Sequence, residues 1–127
     1  MSLLLDTHIL LAVLDERTGL LPVAVRKLVE SGTGSFQVSV ASLWEIAIKH
    51  RLGKLELASS LDLLPALVSA AGVAILNVTA SHVLHAVSPE PDTRDPFDRL
   101  LLAQCEVEGL RLVTLDSALV GHRLAAH

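Results

Sequence analysis

The chain has 127 residues, 51% of them apolar and 19% charged, with a formal net charge of −4. That length suits one domain with a sizeable core, and the composition excludes a disordered chain. The acidic balance excludes coating of nucleic acid by bulk electrostatics, and two Phe, one Trp and no Tyr leave little material for stacking on bases.

Leu3-Leu4-Leu5 is read as a buried strand ending at Asp6, with Thr7-His8 turning into a helix along residues 9–14. Pro22 breaks the pattern, and Val23 to Glu30 reads as a helix with Val25, Leu28 and Val29 on one face. A loop over residues 31–35 leads to an alternating second strand, Phe36-Gln37-Val38-Ser39-Val40. Ala41 to Leu52 follows as a helix whose apolar face carries Leu43, Ile46 and Ala47 and is widened by Trp44 and Ile48; Gly53 closes it.

A helix is expected from Ser60 to Ala71. Pro65 conflicts with that start, so the helix alternatively begins near Leu64 with Pro65 in its first turn. Residues 73–78 read as a third strand, and Thr79 as the cap of a short helix to Val87. Residues 88–94 form a polar loop long enough to lie over a site. Asp95 and Pro96 then signal an N-cap and first helical position for a helix to Glu108, ended by Gly109. Residues 111–114 read as a fourth strand followed by Asp116, and 117–127 as helical or frayed.

Strands alternating with helices imply one α/β domain over 1–127, a central parallel sheet with helices on both faces. No apolar run reaches the ~18 residues a membrane span needs, and the N-terminus shows neither a basic n-region nor a cleavage pattern. The single cysteine, Cys105, lies in an apolar helical pattern and reads as a core residue. A reducing cytoplasm is the expected setting.

Ligand sites in parallel sheets lie beyond the carboxyl ends of the strands. Asp6 and Asp116 fall at two such ends, Glu45 lies one turn into the helix after the second strand, and Asp98 in the first turn of its own helix. Each acid also has a plain structural reading. Asp6 and Asp116 would cap helices, Glu45 stands at capping-box spacing from Ser42, and Asp98 at the N3 position suits the helix dipole. Asp98, however, is in register with Leu101, Leu102 and Cys105, so it should point inward. A buried carboxylate without a cation is costly, and a metal would resolve the conflict. Oxygen ligands suit Mg²⁺ or Mn²⁺, which would activate water against a phosphodiester. His82 and His85 share a helical face but lack a third zinc ligand, and His8 is a packing residue or a neighbour of Asp6.

Four segments resemble the PIN-domain ribonucleases, specifically VapC-type toxins of toxin–antitoxin pairs. They are Leu5-Asp6-Thr7-His8, the run 42–49 with 52–55, the run 95–104 beginning Asp95-Pro96-Phe97-Asp98-Arg99, and Leu112-Val113-Thr114-Leu115-Asp116. The resemblance implies an α/β/α sandwich with four to five parallel strands and Mg²⁺-dependent endonucleolytic cleavage of RNA. Asp6, Glu45, Asp98 and Asp116 would form a four-carboxylate catalytic and metal site, with Thr7, Asp95 and Arg99 in support. It further implies an antitoxin that blocks the site, and homodimerisation. Many relatives carry a histidine before the Asp-Pro-Phe-Asp-Arg run, where this chain has Asp92-Thr93-Arg94. Relatives also continue into a last edge strand where this chain has Leu124-Ala125-Ala126-His127, leaving that strand open.

Two other classes compete. A catalytically silent protein-binding module would keep the fold and use the acids to dock a basic segment. A phospho-acceptor domain using Asp6 lacks a second acid two residues on, where His8 stands. If RNA is the substrate, its shape and a few local cations such as Lys49, Arg51, Lys54 and Arg99 would select it.

Overall fold

The structure is a computed structural model that describes residues 2–31 and 34–126. Gly32 and Thr33 of the expected loop, and His127, lie outside the described residues. Four strands, β1 (Ser2–Leu5), β2 (Ser35–Ser39), β3 (Val73–Leu76) and β4 (Arg111–Val113), form one parallel sheet in the order β3-β2-β1-β4. Among the described residues six α-helices accompany it: α1 (Thr7–Leu14), α2 (Val23–Glu30), α3 (Val40–Arg51), α4 (Leu64–Ala70), α5 (Ala80–Leu84) and α6 (Pro96–Glu108).

The apolar run of β1 follows from its central place in the sheet. Successive side chains point to opposite faces, and both faces are covered. Leu3 and Leu5 join one core with Ile9, Leu10, Ile46 and Val68, while Leu4 joins the other with Leu101, Leu102, Cys105 and Leu112. Helices α1, α3 and α4 thus pack on one side and α6 on the other, a three-layer PIN-like arrangement. Among the described residues no helix is long and apolar enough to cross a membrane.

Several expected boundaries move. Val40 opens α3 instead of ending β2, because the Ser39 hydroxyl accepts the Ala41 N–H at 3.0 Å and caps the helix there. The conflict at Pro65 resolves in favour of the later start: residues 61–63 make a 3₁₀ turn, and α4 begins at Leu64 with Pro65 in its first turn. β3 stops at Leu76 and α5 at Leu84, both short of expectation. Trp44 does not widen the buried face of α3, since it is 61% exposed.

The segment after β4 is not a helix. It runs through turns and sets Ala125 in a parallel bridge with Leu112, with Leu112 N–H to the Leu124 carbonyl and Ala126 N–H to the Leu112 carbonyl, both 2.8 Å. Leu119, Leu124 and Ala125 are buried, a spacing that one helical face cannot supply. The last edge strand, left open by the sequence, is therefore represented by a single bridge.

Candidate active site

From β1 the chain moves outward through β2 to β3, then returns to lay β4 on the other side of β1. The reversal makes the gap between the carboxyl ends of β1 and β4 the switch point where open α/β sheets place ligands. Leu5 pairs with Val113, and the Asp6 N–H continues the ladder to the Val113 carbonyl at 3.0 Å. Asp6 and Thr114 therefore stand side by side despite their separation in sequence.

The Asp6 carboxylate is 7% exposed and firmly held. One oxygen accepts the Thr7 N–H at 2.7 Å, capping α1, and the other accepts the Thr114 hydroxyl at 2.7 Å. Thr114 Oγ1 also accepts the Asp116 N–H at 3.0 Å, so one hydroxyl joins the two acid-bearing strand ends. Two such contacts leave carboxylate lone pairs unused, since a carboxylate offers about four acceptor positions.

Asp98 comes from the opposite layer. Asp95 caps α6 by accepting the Phe97 N–H at 2.9 Å, and Pro96 fills the first helical position, as the sequence predicts. That start places Asp98 in the first turn, half-buried, where its Oδ2 accepts the Thr93 hydroxyl at 3.0 Å. Burial pushes its carboxyl up from 3.8 to about 6; the Thr93 bond opposes the rise, and the charges of Asp95, Asp6 and Asp116 add to it. The structure thus brings Asp6, Asp98 and Asp116 within reach of one another's charge. Among the described residues, no lysine or arginine forms an ion pair with Asp98.

Asp116 is exposed, and its Oδ1 accepts the Ala118 N–H at 2.8 Å. Glu45 projects from α3. It pairs with Lys49 one turn along α3 at 3.2 Å, and its charge is not among those acting on Asp98. Its capping-box reading is overturned, because Ser39 and not Ser42 caps α3. Among the described residues, no three acids, histidines or cysteines stand close enough to hold one ion between them. Glu45 is engaged by Lys49, and Asp116 accepts the Ala118 N–H of its own turn.

The donor set still suits a hydrated hard cation. Mg²⁺ keeps several waters and needs only one or two carboxylates. Asp6 and Asp98 supply oxygen ligands alone, and beside them Thr7 Oγ1 is buried with no hydrogen-bond partner. Buried hydroxyls are ordinarily satisfied, so this orphan calls for a water or an ion's hydration shell.

Arg99, expected in support of the acids, is joined to the loop that precedes α6. Its guanidinium binds the Thr93 carbonyl at 2.7 Å, the Pro91 carbonyl at 3.2 Å and Glu90 at 2.6 Å. It staples the 88–94 loop and so positions Thr93, whose hydroxyl holds Asp98. Thr93 and Thr114 escaped the sequence reading; only their nearness to the acids hinted at them. Trp44 also escaped it. Its ring meets Phe97 at 5.6 Å between centroids and 59° between planes.

The histidines serve elsewhere. His82 Nδ1 accepts the Thr79 N–H at 3.0 Å, which leaves Nε2 to donate to Glu108 at 2.8 Å, while His85 binds Glu106. His8 is exposed and does not pack in the core. Burial pushes the Cys105 thiol up to about 12, which fits a core residue. A groove of about 560 Å³ lies between α5 and α6, lined in part by His85, Val87, Arg99 and Leu100. None of the four acids lines it, so the groove and the carboxylate edge are separate features.

A search of the curated proteins finds no match. The family model for the PIN domain matches residues 3–121 and so takes in β1 from Leu3, all of β4 and all four acids. PIN domains are in general nucleases that use divalent metal ions and act on RNA. By this match, over nearly its whole length, the chain belongs to the PIN domain family.

Proposed function

We propose that this protein is a Mg²⁺-dependent endoribonuclease that acts as the toxin of a toxin–antitoxin pair. One observation carries the nuclease reading: a desolvated carboxylate, Asp98, with no lysine or arginine partner among the described residues, faces the charges of Asp6 and Asp116 at the switch point of the sheet. Such an arrangement is unfavourable by itself and becomes favourable around a divalent ion. The toxin role, the antitoxin and the homodimer rest on the resemblance of the four acid-bearing segments.

Asp6 and Asp98 would hold the ion, which when bound supplies an activated water and neutralises phosphate charge. The chain's own residues do the rest. Thr114 and the Thr7 N–H fix both oxygens of Asp6, so its orientation needs no adjustment when substrate arrives. Thr93 fixes Asp98 from the loop that Arg99 anchors. Asp116 keeps the edge acidic and is exposed enough to orient a water. Lys49, beside Glu45, offers a positive charge to the phosphate backbone.

The test is cleavage of a mixed RNA by the purified protein in Mg²⁺. Loss of cutting with EDTA, and in Asp6→Asn and Asp98→Asn, is expected. Equal cutting by both variants and the parent would remove the site assignment. Among the described residues no three acids gather around one point, and this favours a second reading, a catalytically silent PIN-fold module. Intact RNA at high protein concentration, with tight binding of a protein partner, would establish that alternative instead.

A further inference from the structure

We propose that Trp44 is the base-stacking platform that seats a single-stranded nucleotide beside the cleavage site. The inference rests on the RNA-cleaving reading and adds a residue that positions the substrate. The chain has three aromatic residues, Phe36, Trp44 and Phe97, and two of them meet. Trp44 immediately precedes Glu45 on α3, and Phe97 immediately precedes Asp98 on α6, so the ring pair joins the two helices at the level of their acids. Phe97 stands one position before Asp98 in the first turn of α6, and its contact with Trp44 brings the indole to the α6 side of the carboxylate edge.

Phe97 covers only part of the indole, leaving Trp44 61% exposed. The open face of the indole is flat and apolar, and a nucleobase is flat, apolar on its face and of similar width. Phe97 meets the indole at a tilt, which steadies the ring while leaving its outer area open. Lys49, farther along the same helix, is engaged by Glu45 at 3.2 Å and lies on a different face from Trp44, so the platform rests on the ring and not on a cation. A nucleotide is favoured over a protein partner because the ring pair adjoins Asp98, where the proposed RNA-cleaving site stands. A duplex keeps its bases within the helix, so the platform selects single strands.

Trp44 is the only tryptophan, so its fluorescence reports this site alone. The probes are a single-stranded RNA dodecamer, the same length of abasic sugar-phosphate, and a duplex RNA, mixed with the parent in Mg²⁺ and read by stopped flow before turnover. The dodecamer is expected to quench the indole, and the abasic chain and the duplex are not. In steady-state cleavage, Trp44→Ala should raise KM by about ten-fold with kcat within about two-fold, and Trp44→Phe should recover most of the loss. Equal quenching by abasic chain, or an unchanged KM in Trp44→Ala while the parent cuts RNA, overturns the platform and leaves the nuclease reading intact. Base-dependent quenching without cleavage supports the platform and removes the nuclease reading. A dimer or protein complex lost in Trp44→Ala, with no response to RNA, would make the ring a protein-docking residue and overturn the proposal.

Discussion

Replacing Asp98 by Asn should stabilise the metal-free protein. Asp98 carries a carboxyl raised from 3.8 to about 6, chiefly by burial and further by Asp95, Asp6 and Asp116. Between those two values the folded state binds more protons than the unfolded chain, so stability falls as pH rises, and the loss is complete above about pH 7. At 1.36 kcal/mol per pKa unit the ceiling is about 3 kcal/mol. Solvent screening at a half-buried side chain lowers this to about 1 kcal/mol. Asn keeps the acceptor for the Thr93 hydroxyl and carries no charge. Thermal melts without metal should therefore place Asp98→Asn about 3–5 °C above the parent at pH 7.5, the gap closing as the pH falls to about 4. Mg²⁺ should raise the melting temperature of the parent and leave the variant where it was. A variant less stable than the parent at pH 7.5 would refute the reasoning, because Asp98 would then be a contented helix cap.

Thr114→Val should cost about 2 kcal/mol in denaturant melts, because it strips a buried charged acceptor, Asp6, of its donor and breaks the link from β1 to the turn after β4. The same variant should cut RNA more slowly. Leu102→Ala removes a fully buried side chain from the α6 side of the sheet and should cost about 3 kcal/mol by the same assay, with no shift in the pH at which the Asp98 effect appears. Cys105, buried with its thiol pushed up to about 12, should resist iodoacetamide in the folded protein at pH 8 and react once guanidinium unfolds it; mass spectrometry reads both.

Local grammar carried much of the fold. Asp95-Pro96 at one end and Gly109 at the other bounded α6 to the residue, since a cap, a ring-fixed φ and a left-handed C-terminal glycine at φ 70° are short-range effects. The Leu3-Leu4-Leu5 run marked a strand covered on both faces. What the sequence could not display is lateral placement. The Thr114 hydroxyl reaches Asp6 across 108 positions, a pairing created by β4 returning to the far side of β1. The tail after Asp116 misled for a related reason: its apolar residues serve an edge bridge to Leu112, and no local period announces that. Glu45 looked equivalent to the other acids along the chain, whereas its helix gives it Lys49 as a partner one turn away. The sparse aromatics suggested no stacking surface, and only the meeting of α3 with α6 brought Trp44 to Phe97.

Crystals soaked in Mn²⁺ and measured for anomalous scattering test the central claim most directly. The account predicts a peak in the hollow between β1 and β4, about 2.0–2.2 Å from oxygens of both Asp6 and Asp98, with waters completing the shell. Anomalous density elsewhere, or an empty hollow with Asp6 and Asp98 engaged only by their threonines, would contradict it.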